Sequence, residues 1–189
     1  MRKMKWLFDL VPLMLFWVML SVLVWGWIFT FLTDAPAENK LSVFLDVPAV
    51  NSTPLAVLLE EEAGEGIKMV KVNAFTYAMM DAAEISAADV YVVSAAEVET
   101  YRDWFRPLPE ELAGAEDALL LDGEPWGLRI YDGEARTGAA AGYIQYTAPG
   151  EAEEDHYLFF GGASLHVPGN EGAVDDEAVR LVQRLLNIP

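Results

Sequence analysis

An uncharged run from Leu10 to Leu32 constrains this chain more than any other stretch of its sequence. The run is rich in Trp and Phe, and only Pro12, Ser21, Gly26 and Thr30 interrupt its apolar character. As a helix it would extend about 34 Å, which is enough to cross a hydrocarbon core about 30 Å thick. Because the run has no polar face, we predict one membrane-spanning helix whose backbone groups are hydrogen-bonded within the helix.

The charges near this run predict its orientation. Arg2, Lys3 and Lys5 precede it against the acidic Asp9, and acidic residues follow it. The positive-inside bias therefore places the N-terminus in the cytoplasm and the rest of the chain outside the cell membrane. The alternative is a cleaved signal peptide, since Ala35-Pro36-Ala37 resembles a cleavage site. The run is much longer than the apolar core of about 7 to 15 residues in a signal peptide, which favours an uncleaved single-pass anchor.

Beyond the predicted anchor the chain is strongly acidic. The net charge of the 189 residues is −18, and the first 33 residues carry +2, which leaves −20 for the remainder. Such a surface repels phosphates and anionic lipid headgroups, so nucleic acid is not an expected partner, while cations, basic peptides and basic protein surfaces are left open as partners. Alternatively, the charge serves only solubility. Cysteine is absent, which excludes disulfides and thiolate metal sites.

The sequence predicts three segments. Residues 1–33 form the cytoplasmic N-terminus and transmembrane helix, residues 34–40 a linker, and residues 41–189 one extracytoplasmic domain. In the first half of this domain, predicted strands alternate with predicted helices, at residues 41–45, 55–62, 67–72, 77–84, 89–93 and 94–104. This order predicts an α/β fold in which a mostly parallel sheet lies between two layers of helices, a three-layer αβα domain.

The second half of the domain is less regular. Runs at residues 118–121 and 127–131 flank the turn sequence Asp122-Gly123-Glu124-Pro125 and predict a hairpin. Two further strands are expected at residues 143–146 and 157–161. An amphipathic helix, capped by Asp175 or Asp176 and extending to Leu186, is expected to pack on the sheet.

Candidate ligand-binding residues follow from the predicted strand order. In open α/β sheets, ligands bind beyond the carboxyl ends of the strands, where helix N-termini present free N–H groups. Asn51, Ser52 and Thr53 follow the first strand, and Ser94 follows the third. These four residues are therefore predicted to contact a ligand.

Two further residues are candidates for the rim of such a site. Trp126 directly follows a turn proline and is expected to be partly exposed, where its ring can stack on a ligand. Ser164 is the second rim candidate.

No motif in the sequence predicts catalysis or metal binding. The common dinucleotide, nucleotide and zinc-protease patterns are absent. The histidines His156 and His166 are interpreted as polar residues at strand edges, and Ser164 lacks the G-x-S-x-G context of a hydrolase nucleophile. The acidic loop of residues 150–155 lacks the ligand spacing of an EF-hand. We expect no enzyme activity, no catalytic residue, no metal and no cofactor.

Several stretches together resemble a known family. Ala88-Asp89-Val90-Tyr91-Val92-Val93, the hairpin from Leu119 to Leu128, and residues 157–164 with the helix of residues 176–186 resemble the first lobe of extracellular solute-binding proteins of ABC transporters. The resemblance implies a periplasmic-binding-like lobe that binds a small solute. In that family a second lobe follows the hairpin, whereas only residues 132–142 stand there in this chain. Those proteins are usually lipidated on a cysteine or released, and this chain has no cysteine.

The leading expectation is a membrane-anchored, extracytoplasmic binding or accessory module. It is expected to act without enzyme activity, beside a transporter or another envelope membrane protein, and to bind a small-molecule ligand if its site is functional. One alternative is an extracytoplasmic hydrolase that acts on cell-wall material through carboxylates. The other is a structural subunit whose acidic surface docks a basic partner.

Overall fold

The computed structural model describes residues 2–33, 35–61, 63–74, 85–115 and 117–189. The chain divides into two compact units, Met1–Pro36 and Ala37–Pro189. The helix predicted over residues 77–84 lies outside the described residues.

The first unit contains one long helix, α1, which runs from Arg2 to Thr33. Its segment Val11–Phe29 has a mean hydropathy of 2.1, and none of it is buried. This segment is long and apolar enough to cross a membrane, and a signal sequence near the N-terminus has the same properties. An apolar helix is therefore present, while the uncleaved anchor and its orientation stay predictions.

The second unit is a mixed α/β domain built around one large sheet. Its described strands are β1 Lys40–Leu45, β2 Ala49–Val50, β3 Met69–Ala74, β4 Val90–Ser94, β5 Phe105–Arg106, β6 Ala118–Leu121, β7 Glu124–Asp132, β8 Thr137–Gly138, β9 Ile144–Gln145 and β10 His156–Gly161. The large sheet has the order β3-β1-β4-β10-β7-β6, with β5 beside β10 and β8 beside β7. Strands β2 and β9 form a separate antiparallel pair.

Parallel pairing is confined to three neighbouring strands of this sheet. Strand β1 pairs in parallel with β3 on one side and with β4 on the other. Strand β10 then lies antiparallel between β4 and β7, and β6 and β7 form an antiparallel hairpin. The prediction of a mostly parallel sheet is therefore wrong. Among the described residues between β5 and β10, no helix connects consecutive strands, and a parallel pair of strands requires such a crossover connection.

The described helices of the domain are short. They are α2 Ser52–Glu61, α3 Val98–Tyr101 and α4 Glu177–Leu186, with 3-10 turns at Ala37–Asn39, Ala95–Glu97 and Arg102–Trp104. The helix predicted from Ser94 to Trp104 is thus divided into three short pieces. The side chain of Ser94 makes no capping hydrogen bond at the start of this stretch.

Alternate residues of the central strands contribute to two separate cores. In β4, Val90 and Val92 belong to the cluster that includes apolar residues of α2 and α4, while Tyr91 and Val93 belong to the cluster that includes Val98 of α3. The sheet is therefore buried on both faces. The described residues that pack on the second face include the short helical stretch of residues 95–104 together with Ala88 and Phe105, and the predicted three-layer arrangement is not confirmed.

The hairpin of β6 and β7 is confirmed and has a specific turn. Asp122 and Gly123 connect the two strands with positive φ angles of 53° and 86°. Two positive φ angles are typical of a type I′ turn, for which an Asp-Gly pair is favoured.

Candidate functional site

A cavity of about 560 Å³ lies where two parallel strands end. Asp46 directly follows β1, and Ser94 is the last residue of β4. His156, the first residue of β10, is the antiparallel partner of Ser94. All three line the cavity. Because β3 and β4 lie on opposite sides of β1, the cavity lies at the topological switch point, where open α/β sheets bind ligands.

The lining of this cavity is acidic. Asp46, Glu97, Glu151 and Glu154 contribute carboxylates, and the described lining residues include no Lys or Arg. Burial, together with the nearby charge of Glu97, raises the pKa of Asp46. The negative charges of the lining therefore repel one another, and a positively charged ligand would relieve this repulsion.

His156 contributes a neutral ring to the same cavity. The side chain is only 3% exposed, and Nδ1 lies 3.1 Å from the carbonyl oxygen of Glu154. Since a carbonyl oxygen only accepts hydrogen bonds, Nδ1 must carry a proton. Burial lowers the pKa of His156, against the opposing effect of Glu154 and other nearby acids. The ring is therefore neutral near pH 7, and Nε2 holds a lone pair.

Two tyrosines hold the His156 ring in place. The rings of Tyr131 and Tyr146 stack with their centroids 4.5 Å apart. Both rings meet the His156 ring edge-on, with centroid distances of 5.8 Å from Tyr131 and 5.2 Å from Tyr146. The Tyr131 hydroxyl donates to Glu153 at 2.8 Å, and the Tyr146 hydroxyl donates to the carbonyl oxygen of Ala139 at 2.6 Å. These contacts fix the position of Nε2. No donor or acceptor contacts Nε2 in the part of the chain that the structure describes.

Two of the four residues predicted at the strand ends line cavities, but they line different ones. Ser94 lines the acidic cavity, and Asn51 lines a neighbouring cavity of about 590 Å³ that shares Tyr146 with it. Ser52 and Thr53 begin α2 and are not among the described lining residues of either cavity.

The two predicted rim residues lie elsewhere in the domain. Trp126 is half-buried, with the guanidinium of Arg102 5.7 Å from the centre of its ring. Ser164 is buried and donates a hydrogen bond to Asp89, which immediately precedes β4. Ser164 therefore lies toward the amino end of β4, away from the acidic cavity.

Sequence reasoning missed Asp46, Glu97 and His156. Asp46 carried a usable signal, because it is the first residue after a predicted strand. Glu97 lay within the predicted helix of residues 94–104, and its position in that helix gave no indication of a site. His156 had no such signal, since its position depends on the antiparallel pairing of β10 with β4.

A second polar cluster lies at the amino ends of the parallel strands. His166 is 1% exposed, and its two ring nitrogens face Asp175 at 2.8 Å and the carbonyl oxygen of Ala37 at 3.1 Å. Both partners only accept hydrogen bonds, so the ring satisfies both of them only as an imidazolium. Asp89 and Lys40 are the other charged residues that line the adjoining cavity of about 340 Å³.

The environment of His166 favours its charged form. Burial by itself lowers the pKa of His166, but the hydrogen bonds to Asp175 and Ala37 and the charge of Asp89 outweigh burial. The pKa of His166 is therefore raised above its ordinary value of 6.5. The imidazolium joins Ala37, at the start of the domain, to the loop that precedes α4.

This arrangement predicts a pH-dependent stability. The stabilisation from His166 is fully present below the unfolded-state pKa of about 6.5 and is lost as the pH rises through the higher folded-state pKa. We expect the free energy of unfolding of the full chain, measured by urea unfolding, to fall over that range. In His166→Gln the fall should be absent, although stability is lower throughout. An unchanged pH dependence in this variant would show that His166 is not the group responsible.

Comparison with known proteins finds little similarity. No family model matches the sequence, and no curated protein is significantly similar to it. Thiaminase I from Bacillus thiaminolyticus, a solved structure, is similar over 49% of this chain and 28% of its own chain, with 21% identity and a TM-score of 0.35. This chain thus matches little more than a quarter of that structure's length.

One expectation is corrected by this comparison. The similar solved structure is named as an enzyme, so the comparison does not support the expectation that this chain has no enzyme activity. No residue role and no substrate follow from a similarity of this extent.

Proposed function

We propose that this chain is a membrane-anchored, extracytoplasmic binding module that holds a small solute in the acidic cavity. The observation that carries the proposal is the position of the cavity at the switch point between β1 and β4, with Asp46 and Ser94 at the ends of these strands. Its volume of about 560 Å³ is in the range of ligand pockets in proteins.

A role beside a membrane partner completes the proposal. The apolar segment Val11–Phe29 supports a tether, and a tether raises the local concentration of the domain near a transporter or another envelope protein. A domain with a single lobe cannot close a second lobe over its solute, so a tether compensates by keeping the domain close to the receiver of the solute.

The proposal predicts that a specific class of solute stabilises the full chain. We expect one class in a panel of amino acids, short peptides, sugars and amines to raise the unfolding temperature, because a ligand at about 100 times its Kd adds about 2.7 kcal/mol to the folded state. Ser94→Phe, which places a ring in the cavity, should abolish the shift. Thr53→Phe, at an exposed position of α2, should retain it. Equal shifts in both variants, or no shift in any class, would contradict the proposal.

The same cavity also favours a second candidate function. His156 presents an unprotonated Nε2, and burial raises the pKa of Asp46, which lines the same cavity, so His156 is the candidate general base and Asp46 the candidate general acid. This pair supports hydrolysis of a cell-wall glycan or peptide. Product analysis of the panel mixtures separates the two candidates, since binding alone leaves the solute intact.

A further inference from the structure

We propose that the solute of the acidic cavity is an elongated organic cation, such as a linear polyamine. In this arrangement its ammonium groups lie near the carboxylates of Asp46 and Glu97, and one ammonium N–H donates to Nε2 of His156. The inference rests on the proposed binding function and names the chemical class of the solute.

Charge is the first observation that favours a cation. The described lining contains four carboxylates and no basic side chain. An anionic solute would add to the repulsion among these groups, and a neutral solute would leave it unchanged. Ammonium groups instead form charge-assisted hydrogen bonds with carboxylates, which are stronger than hydrogen bonds between neutral groups.

His156 is the second, independent observation. The residue is 3% exposed, it lines the cavity, and Nε2 has no hydrogen-bond partner among the described residues. The hydrogen bond from Nδ1 to Glu154 leaves Nε2 as a pure acceptor. A ligand that donates hydrogen bonds therefore fits this nitrogen, and every ammonium N–H is such a donor.

The geometry favours an organic cation over a metal ion. A metal ion needs several ligand atoms that converge to about 2.0 to 2.6 Å from one point. Within the described residues, no group of three or more His, Asp or Glu side chains converges in this way. Carboxylates spread around a cavity of about 560 Å³ match a longer molecule that carries separated charges.

The test uses spermidine as the probe and calorimetric titration of the full chain in an uncharged detergent at 0.15 M salt. We expect saturable binding that Glu97→Gln weakens by about tenfold or more, as for the loss of a hydrogen bond to a charged group. The matched control, Glu60→Gln, removes the same charge from an exposed position of α2 and should change the affinity by less than about twofold. A diol of the same length should not bind.

Three results would overturn the inference. The first is the absence of saturable spermidine binding. The second is equal weakening of binding by Glu97→Gln and Glu60→Gln. The third is binding of Ca²⁺ in place of spermidine with the same dependence on Glu97. Equal weakening would mean attraction to the overall charge, and the Ca²⁺ result would mean a metal site. If another class of solute still stabilises the chain in a manner sensitive to Ser94→Phe, the proposed function stands and only the polyamine assignment fails.

Discussion

Replacing Phe159 by alanine is expected to lower the free energy of unfolding by about 3 to 5 kcal/mol. Phe159 is fully buried in β10, and its ring stacks on Phe105 with centroids 4.2 Å apart and planes 8° apart. The substitution removes the ring and leaves a cavity between packed strands. Because β10 begins at His156, this loss also loosens the strand that supports the acidic cavity. Urea unfolding of the full chain measures the effect, and Val174→Ala, at an exposed position, serves as the control.

A second substitution tests whether this packing is specific. A Cβ atom at Gly127, in the neighbouring β7, would lie 2.7 Å from Cε1 of Phe159. Gly127→Ala alone should therefore destabilise the domain by about 1 to 3 kcal/mol through overpacking. In the Phe159→Ala background the added methyl group has room, so its cost should largely disappear. Strictly additive effects would mean that the two residues are not in contact.

Gly161→Ala is also expected to lower the free energy of unfolding, but for a different reason. A Cβ atom at Gly161 would lie 1.9 Å from the carbonyl oxygen of Ala88, and this oxygen belongs to the backbone, so no change of rotamer can relieve the clash. The Gly161 N–H donates to the backbone carbonyl oxygen of Asp89 at 2.9 Å, and a displaced strand would weaken that hydrogen bond as well. We expect a loss of about 3 kcal/mol or more.

The matched control for this substitution is Gly66→Ala. Nothing lies within 4 Å of a Cβ atom at Gly66, so the free energy of unfolding should change by less than about 1 kcal/mol. Similar losses in both variants would show that the close approach at Gly161 does not determine stability. Both variants are compared by urea unfolding of the full chain.

Local features of the sequence predicted individual elements well. Leu41–Leu45 reads as a strand because its residues are apolar and β-rich, and β1 covers it. The Asp122-Gly123 pair predicted the hairpin, since few other residues accept two positive φ angles. The periodic apolar residues of α4 predicted its existence and its end near Leu186.

Pairing between distant strands could not be read from local pattern. Residues 157–160 are apolar whether β10 lies parallel or antiparallel to β4, because a strand buried on both faces shows no alternation that reveals direction. The predicted mostly parallel sheet failed for this reason. The same limit hid the site, because His156 meets Ser94 only through the antiparallel register.

Ser164 shows how a candidate was misplaced. It was predicted at the rim of a site beyond the carboxyl ends of the strands, but it follows β10, which runs opposite to β4. Its end therefore lies beside the amino end of β4, where Ser164 bonds to Asp89 instead of to a ligand. Ser94 ends β4, which is parallel to β1, and it lines the acidic cavity.

The central claim is that a solute binds at the carboxyl ends of β1 and β4. A crystal structure of the full chain with the solute that stabilises it most tests this claim directly. The account predicts that the solute lies between Asp46 and Ser94 with a donor group on Nε2 of His156. A solute found instead at the amino ends of these strands, beside Asp89 and His166, would contradict it.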